Sequence, residues 1–211
     1  MIVLGGYTRL THSGLSMADW SPYTKRYPRN DEEWEVEFEK YRKTVEFQTV
    51  NKSITLDGFK PIYWVEFFHR QMGMILGYWF AIPFAVFQFK GYLQPKLRNR
   101  LIGLLGLGGL QGAIGWWMVK SGLKEKPEYQ NRPRVSPYRL ATHLGMATTL
   151  YAGLLWNSFN LLIKPTEVDA NDVAKLKYLR GLRIIGIVMI KCLILNILTG
   201  AFVAGIDAGR M

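Results

Sequence analysis

An all-α integral membrane protein, a helical bundle, is the fold class this sequence predicts, and three observations carry it. Hydrophobic residues make up 49% of the 211 residues while 20% are charged, and the mean hydropathy lies close to zero. The two populations are segregated: long apolar blocks alternate with short charged connectors, as a chain that crosses a bilayer requires. Four blocks, about Tyr63–Phe89, Leu101–Val119, Leu140–Ile163 and Leu182–Ile206, reach the roughly 20 helical residues that a hydrocarbon core needs. The aromatic content of 14% argues against disorder. The single cysteine, Cys192, excludes a disulfide scaffold, and a thiolate zinc or iron–sulfur site built by this chain alone.

The net charge of +11 raises the question of nucleic acid. Its placement answers it. Lys90 to Arg100 holds four basic residues and no acidic one, Lys120 to Arg139 six against two, and Lys164 to Arg183 five against three. Each is a connector between apolar blocks, where lipid headgroups and topology account for the excess, so no nucleic acid partner is expected.

Taken in order, residues 1–6 read as the end of a truncated first transmembrane helix. Ala201–Gly205 has the same character near the other end, and placing Gly6 on Gly205 superposes two helix exits. That suggests a four-helix repeat whose second copy is just opening. Residues 7–62 form an extramembrane loop with an acidic amphipathic helix. Asn30 is its N-cap with Glu33 three residues on, and Trp34, Phe38 and Tyr41 follow at helical spacing. Seven of the sixteen acidic residues fall between Asp31 and Glu46. Residues 63–163 are expected to hold three transmembrane helices, 164–183 a basic connector, and 184–211 the helix that opens the second half. The positive-inside rule puts the connectors Lys90–Arg100 and Lys164–Arg183 on the matrix or cytoplasmic side.

Of the three histidines, two form a pair. His69 lies shortly inside the first block and His143 shortly inside the third, and alternate spans begin on the same face, so both imidazoles sit at similar depth. Such a pair can be axial ligands of a heme iron, or simply two polar residues near an interface. Glu66, His69, Arg70 and Gly73 share one helix face at i, i+3, i+4 and i+7. An ionisable residue at the mouth of a span either pairs or functions; Glu66 can pair with Arg70. Gly73 and Gly77 clear space beneath His69 for a flat macrocycle or a close helix. Arg134 and Arg139, before His143, can bind carboxylates such as heme propionates or snorkel to headgroups.

Four runs carry a family resemblance: Gly5–Trp20 (GGYTRLTHSGLSMADW), Glu66–Arg70 (EFFHR), Gln111–Leu123 (QGAIGWWMVKSGL) and Arg134–Leu144 (RVSPYRLATHL). Together they closely resemble the heme A synthase family, in its mitochondrial form and close bacterial relatives. The resemblance implies eight membrane helices in two four-helix halves, of which this chain is the first with the start of the second. It implies an oxidoreductase that turns heme O into heme A for cytochrome c oxidase assembly, oxidising a porphyrin methyl group to formyl by two hydroxylations and loss of water. On the motif positions, it carries over His69 and His143 as ligands of the heme iron, Glu66 as the catalytic carboxylate, and Arg70 and Arg139 as further heme contacts. A heme b would belong to the second half. The implied partners are heme O and heme A, membrane lipid, an electron donor such as a ferredoxin, heme O synthase and a second copy of the chain, in the mitochondrial inner membrane or, alternatively, a bacterial plasma membrane. Three departures stand out. The loop cysteine pair of some bacterial members is missing, Met74 replaces a common arginine, and His12 reads as a loop residue. Two rival readings are a membrane b-type cytochrome that only passes electrons and a non-catalytic assembly protein. Electron transfer needs no carboxylate beside its ligands, so Glu66 separates the enzyme from the cytochrome.

Overall fold

The structure is a computed structural model that describes residues 1–20, 26–124, 133–164, 168–169, 171–206 and 208. Residues 125–132 of the Lys120–Arg139 connector, 165–167 and 170 of the connector after Lys164, and 207 and 209–211 of the polar exit lie outside the described residues. Among those described there are seven helices and no strand: α1 (Ile2–Leu10), α2 (Asp31–Arg42), α3 (Val45–Thr49), α4 (Leu56–Phe89), α5 (Pro95–Lys124), α6 (Pro137–Leu162) and α7 (Val173–Gly205). Three of them, α4, α5 and α7, are long and apolar enough to cross a membrane, making this a multi-pass membrane protein.

The third expected block, Leu140–Ile163, is α6. It is helical over 26 residues but carries Thr142, His143, Thr148, Thr149, Asn157 and Ser158, which lower its apolar content. Thr142, Thr148, Thr149 and Ser158 each donate to the carbonyl four residues back, so the polarity is spent inside the helix. α6 packs against both α5 and α7.

All four long helices start earlier than their apolar blocks, α4 and α7 by the most. α4 begins at Leu56, capped by Thr55, whose hydroxyl accepts from Gly58 N–H at 3.3 Å. Its 34 residues span about 51 Å, well beyond a hydrocarbon core of roughly 30 Å. The extra turns pack into the aromatic lobe formed with α2. α7 begins at Val173, inside the expected connector, because Asp172 caps it by accepting from Lys175 N–H at 2.9 Å and the basic residues that follow are good helix formers.

The main hydrophobic core sits in the lobe. Met17, Trp34, Phe38, Tyr41, Phe59, Tyr63 and Phe67 form it, with Phe59, Tyr63 and Phe67 at i, i+4 and i+8 on α4. Asn30 caps α2 as expected, its Oδ1 accepting from Glu33 N–H at 2.8 Å, and the aromatic face of α2 lies on α4. Lys40 bridges Glu37 and Asp19, which fastens the N-terminal loop to α2. His12 lies in the turn after α1 with φ of 53°, the loop position expected of it.

Glu46 on α3 is buried in this lobe and takes a hydrogen bond from the Tyr41 hydroxyl at 3.1 Å, which itself accepts from Asn51 Nδ2 at 2.7 Å. Burial pushes its carboxyl up to about 7; the Tyr41 hydrogen bond opposes the rise and the charge of Glu66 adds to it. A folded-state value above the unfolded one means the native lobe holds a proton that the unfolded chain has released. The stability this contributes is complete below about pH 4.5 and lost as pH rises to about 7, a change of about 3 kcal/mol. Glu46→Gln keeps an acceptor for Tyr41 without the charge. It should match the parent in thermal unfolding near pH 4 and exceed it above pH 7; coincident melting profiles across that range would count against the buried-acid account.

Candidate functional site

The site is built around Glu66 and the two histidines. Glu66 is 2% exposed, and both its oxygens are engaged. Oε2 accepts from Ser16 Oγ at 2.7 Å and from Met17 N–H at 2.8 Å, while Oε1 accepts from Arg70. Arg70 also donates to the backbone carbonyls of Met17, at 3.1 Å, and Asp19, at 2.8 Å. One helical turn of α4 therefore grips the Ser16–Asp19 loop from both charges of an i, i+4 pair. The pairing of Glu66 with Arg70, one of the two alternatives open in the sequence, is present; Ser16 and Met17 are partners the sequence did not reveal.

His69 follows one turn after Glu66, and His143 lies in the second turn of α6. The two imidazoles come within electrostatic reach of one another, and each has a buried Nδ1 without a hydrogen-bond partner. Each ring rests against a glycine of a neighbouring helix. A Cβ at Gly5 of α1 would lie 3.3 Å from His69 Cε1, and one at Gly115 of α5 would lie 2.9 Å from His143 Cε1. Below His69, a Cβ at Gly77 would meet nothing within 4 Å and one at Gly73 only Met1, so the cleared space expected there is present. Gln111, one turn from Gly115, donates to the His143 carbonyl at 3.1 Å and fixes α5 against α6.

Arg139 stands one turn before His143. It donates to the Trp117 carbonyl at 2.7 Å, with its guanidinium 4.4 Å from the Trp117 ring centroid. Trp20 lies 5.6 Å from Trp116, so the N-terminal loop also touches the end of α5.

This donor set suits a macrocycle. Among the described residues no group of three or more His, Cys, Asp or Glu gathers that could enclose a bare metal ion. Two neighbouring imidazoles, each with an unpaired buried Nδ1, fit a group that brings the remaining ligands of its own iron, as a porphyrin does. The family model described as cytochrome oxidase assembly protein, COX15-CtaA, matches residues 1–211. The chain belongs to this family. Within COX15-CtaA it is 47% identical over 210 residues to "Heme A synthase COX15" of Arabidopsis thaliana, covering 100% of this chain and 46% of that protein. It is 43% identical to "Heme A synthase" of Maricaulis maris, covering 100% and 58%, and 42% identical to the "Heme A synthase-mitochondrial ferredoxin fusion protein" of Schizosaccharomyces pombe, covering 100% and 36%. The chain thus spans about half the length of these COX15-CtaA relatives. No solved structure matches it.

Gly5 and Gly115 are the site residues that sequence reasoning passed over: Gly5 read as part of a helix end, and Gly115, inside the run Gln111–Leu123, received no role of its own. Gly115→Ala tests the contact. Its Cβ should push the His143 ring aside, and heme bound by the full-length protein should lose much of its low-spin bis-histidine absorbance while the helical content stays unchanged. An unaltered spectrum would show that the imidazole does not need the glycine.

Proposed function

We propose that this chain is the first, heme-handling half of a heme A synthase, with heme O as substrate and heme A as product. One arrangement carries the reading: two half-buried imidazoles from α4 and α6, each with an unpaired buried Nδ1, lie within electrostatic reach of one another, and a buried carboxylate stands one turn from the first. The names of the COX15-CtaA relatives support it. His69 and His143 are the residues that would hold the iron, which once bound would supply the oxidising chemistry at the porphyrin methyl group. Everything else is the chain's own contribution. The lobe and the Ser16–Asp19 loop close the outer face against bulk water. Glu66, as the catalytic carboxylate, takes up or returns protons at its Oε atoms one turn from His69, and balances positive charge at the porphyrin edge. Arg70 orients that carboxylate, and Arg70 and Arg139 are the guanidiniums we assign to heme propionates.

A ferredoxin-like electron donor is part of the proposal, supported by the fused relative of Schizosaccharomyces pombe. So are a heme b in the second half, heme O synthase as a neighbour, self-association, and the mitochondrial inner membrane or a bacterial plasma membrane as location. The outer side of that membrane is the face we assign to the histidines.

A second reading is favoured by one observation. Since both Glu66 oxygens are engaged by Ser16, Met17 and Arg70, the carboxylate can serve as a structural clamp in a b-type cytochrome that only transfers electrons. Two experiments on the full-length protein divide the possibilities. His69→Ala and His143→Ala should each abolish the bis-histidine spectrum of this half; retention in both variants rejects the pairing. Glu66→Gln should retain that spectrum while heme A formation falls by about 10²–10⁴ and heme O or a hydroxylated intermediate accumulates. Undiminished heme A output would leave only the clamp, and simultaneous loss of heme would make the residue structural.

A further inference from the structure

Far from the histidines, the opposite end of the α5–α6 hairpin holds a cleft of about 430 Å³ lined by Arg100, Gly103, Leu104, Leu107, Trp156 and Asn157. Arg100, Gly103, Leu104 and Leu107 stand at i, i+3, i+4 and i+7, one face of α5, and Trp156 and Asn157 face them from α6. The cleft is graded from polar to apolar. At its outer end is the exposed Arg100, which has no carboxylate partner among the described residues, and it belongs to a stretch, Lys90 to Arg100, with four basic residues and no acidic one. Leu107 lies about 10 Å further along the helix, within the depth of an acyl chain. Gly103 leaves the floor open, since a Cβ there would meet nothing within 4 Å, while Leu104 fills the hairpin seam against Gly153. Asn157 supplies an unsatisfied acceptor: its Nδ2 donates to the Gly153 carbonyl at 2.8 Å, leaving a buried Oδ1 without a partner.

We propose that this cleft is a binding site for one anionic glycerophospholipid. Its phosphate meets the Arg100 guanidinium, a headgroup hydroxyl donates to Asn157 Oδ1, and an acyl chain lies over Gly103 and Leu107 against Trp156. An apolar occupant alone would leave both the cation and the amide oxygen uncompensated, and a free phosphate would leave the apolar floor uncovered. The site is independent of the heme reading, because it rests on other residues at the other membrane face.

The test uses full-length protein equilibrated with equal amounts of phosphatidylglycerol and phosphatidylcholine of identical chains, with retained lipid counted by native mass spectrometry. The parent should retain phosphatidylglycerol about fivefold over phosphatidylcholine, the attraction expected of one basic side chain at an anionic surface. Arg100→Gln, a change at an exposed position that the fold does not need, should bring the ratio close to one. Gly103→Leu, which fills the floor, should reduce retention of both lipids. A ratio near one in the parent overturns the proposal, as does an unchanged ratio in Arg100→Gln, which would credit the general basic surface. Complete displacement by millimolar inorganic phosphate would make this a phosphate site and also overturn it. Absence of any retained lipid, with the cleft shielded from chemical labelling at Arg100, would assign the cleft to the remainder of the full-length protein instead.

Discussion

A carboxylate placed at the mouth of a membrane span must find compensation for every lone pair it exposes, and Glu66 meets that demand with partners drawn from two distant stretches of chain. Ser16 and the Met17 N–H come from the loop after α1, and Arg70 comes from the next turn of α4. Once Met17 is fixed in this way its side chain joins the aromatic cluster of Trp34, Phe38, Tyr41 and Phe59. Leaving either ion unpaired in so buried a setting costs several kcal/mol. The loop, the lobe and α4 therefore have only one mutually satisfactory arrangement.

The same economy governs the histidines. An imidazole between packed helices needs room on one side and a fixed backbone on the other. α1 and α5 provide the room through Gly5 and Gly115, and the backbone of α6 is held by Gln111 and by Ser121, whose hydroxyl accepts from Ser136 N–H at 2.8 Å. Both rings are thus approached by helices that contribute no side chain at the point of contact. Arg9 adds a tie between the two ends of the repeat suspected in the sequence, donating to the Ala204 carbonyl at 2.8 Å near the exit of α7.

Much of this was legible in the residues themselves. The helical class followed from segregated apolar blocks, the start of α2 from Asn30 and Glu33, and the shared face of Glu66, His69 and Arg70 from their spacing. What escaped was non-local or graded. Nothing in a single sequence announces that Ser16 and Met17 meet a carboxylate fifty residues away. The glycines against the histidines are indistinguishable by composition from those that merely pack helices. The early start of α4 at Leu56 was hidden because its first turns are amphipathic rather than apolar, and a hydropathy reading sees only the part in lipid. The polarity of α6 shows the converse: its hydroxyls are bonded to its own backbone, so a segment with reduced hydropathy still packs as a long helix between α5 and α7.

The length of α4 carries a further implication. Phe59, Tyr63 and Phe67 belong to the aromatic core of the lobe, and His69 is only two residues beyond the last of them on the same continuous rod. The lobe and His69 therefore share one helix and are expected to order together, rather than as a cap resting on an independent bundle. Any event that loosens the aromatic cluster from the water side, whether a partner's embrace, a protease nick or a shift in proton concentration, is mechanically communicated to the imidazole. The colour of a bound heme would then serve as a remote gauge of order in a part of the molecule that never touches it.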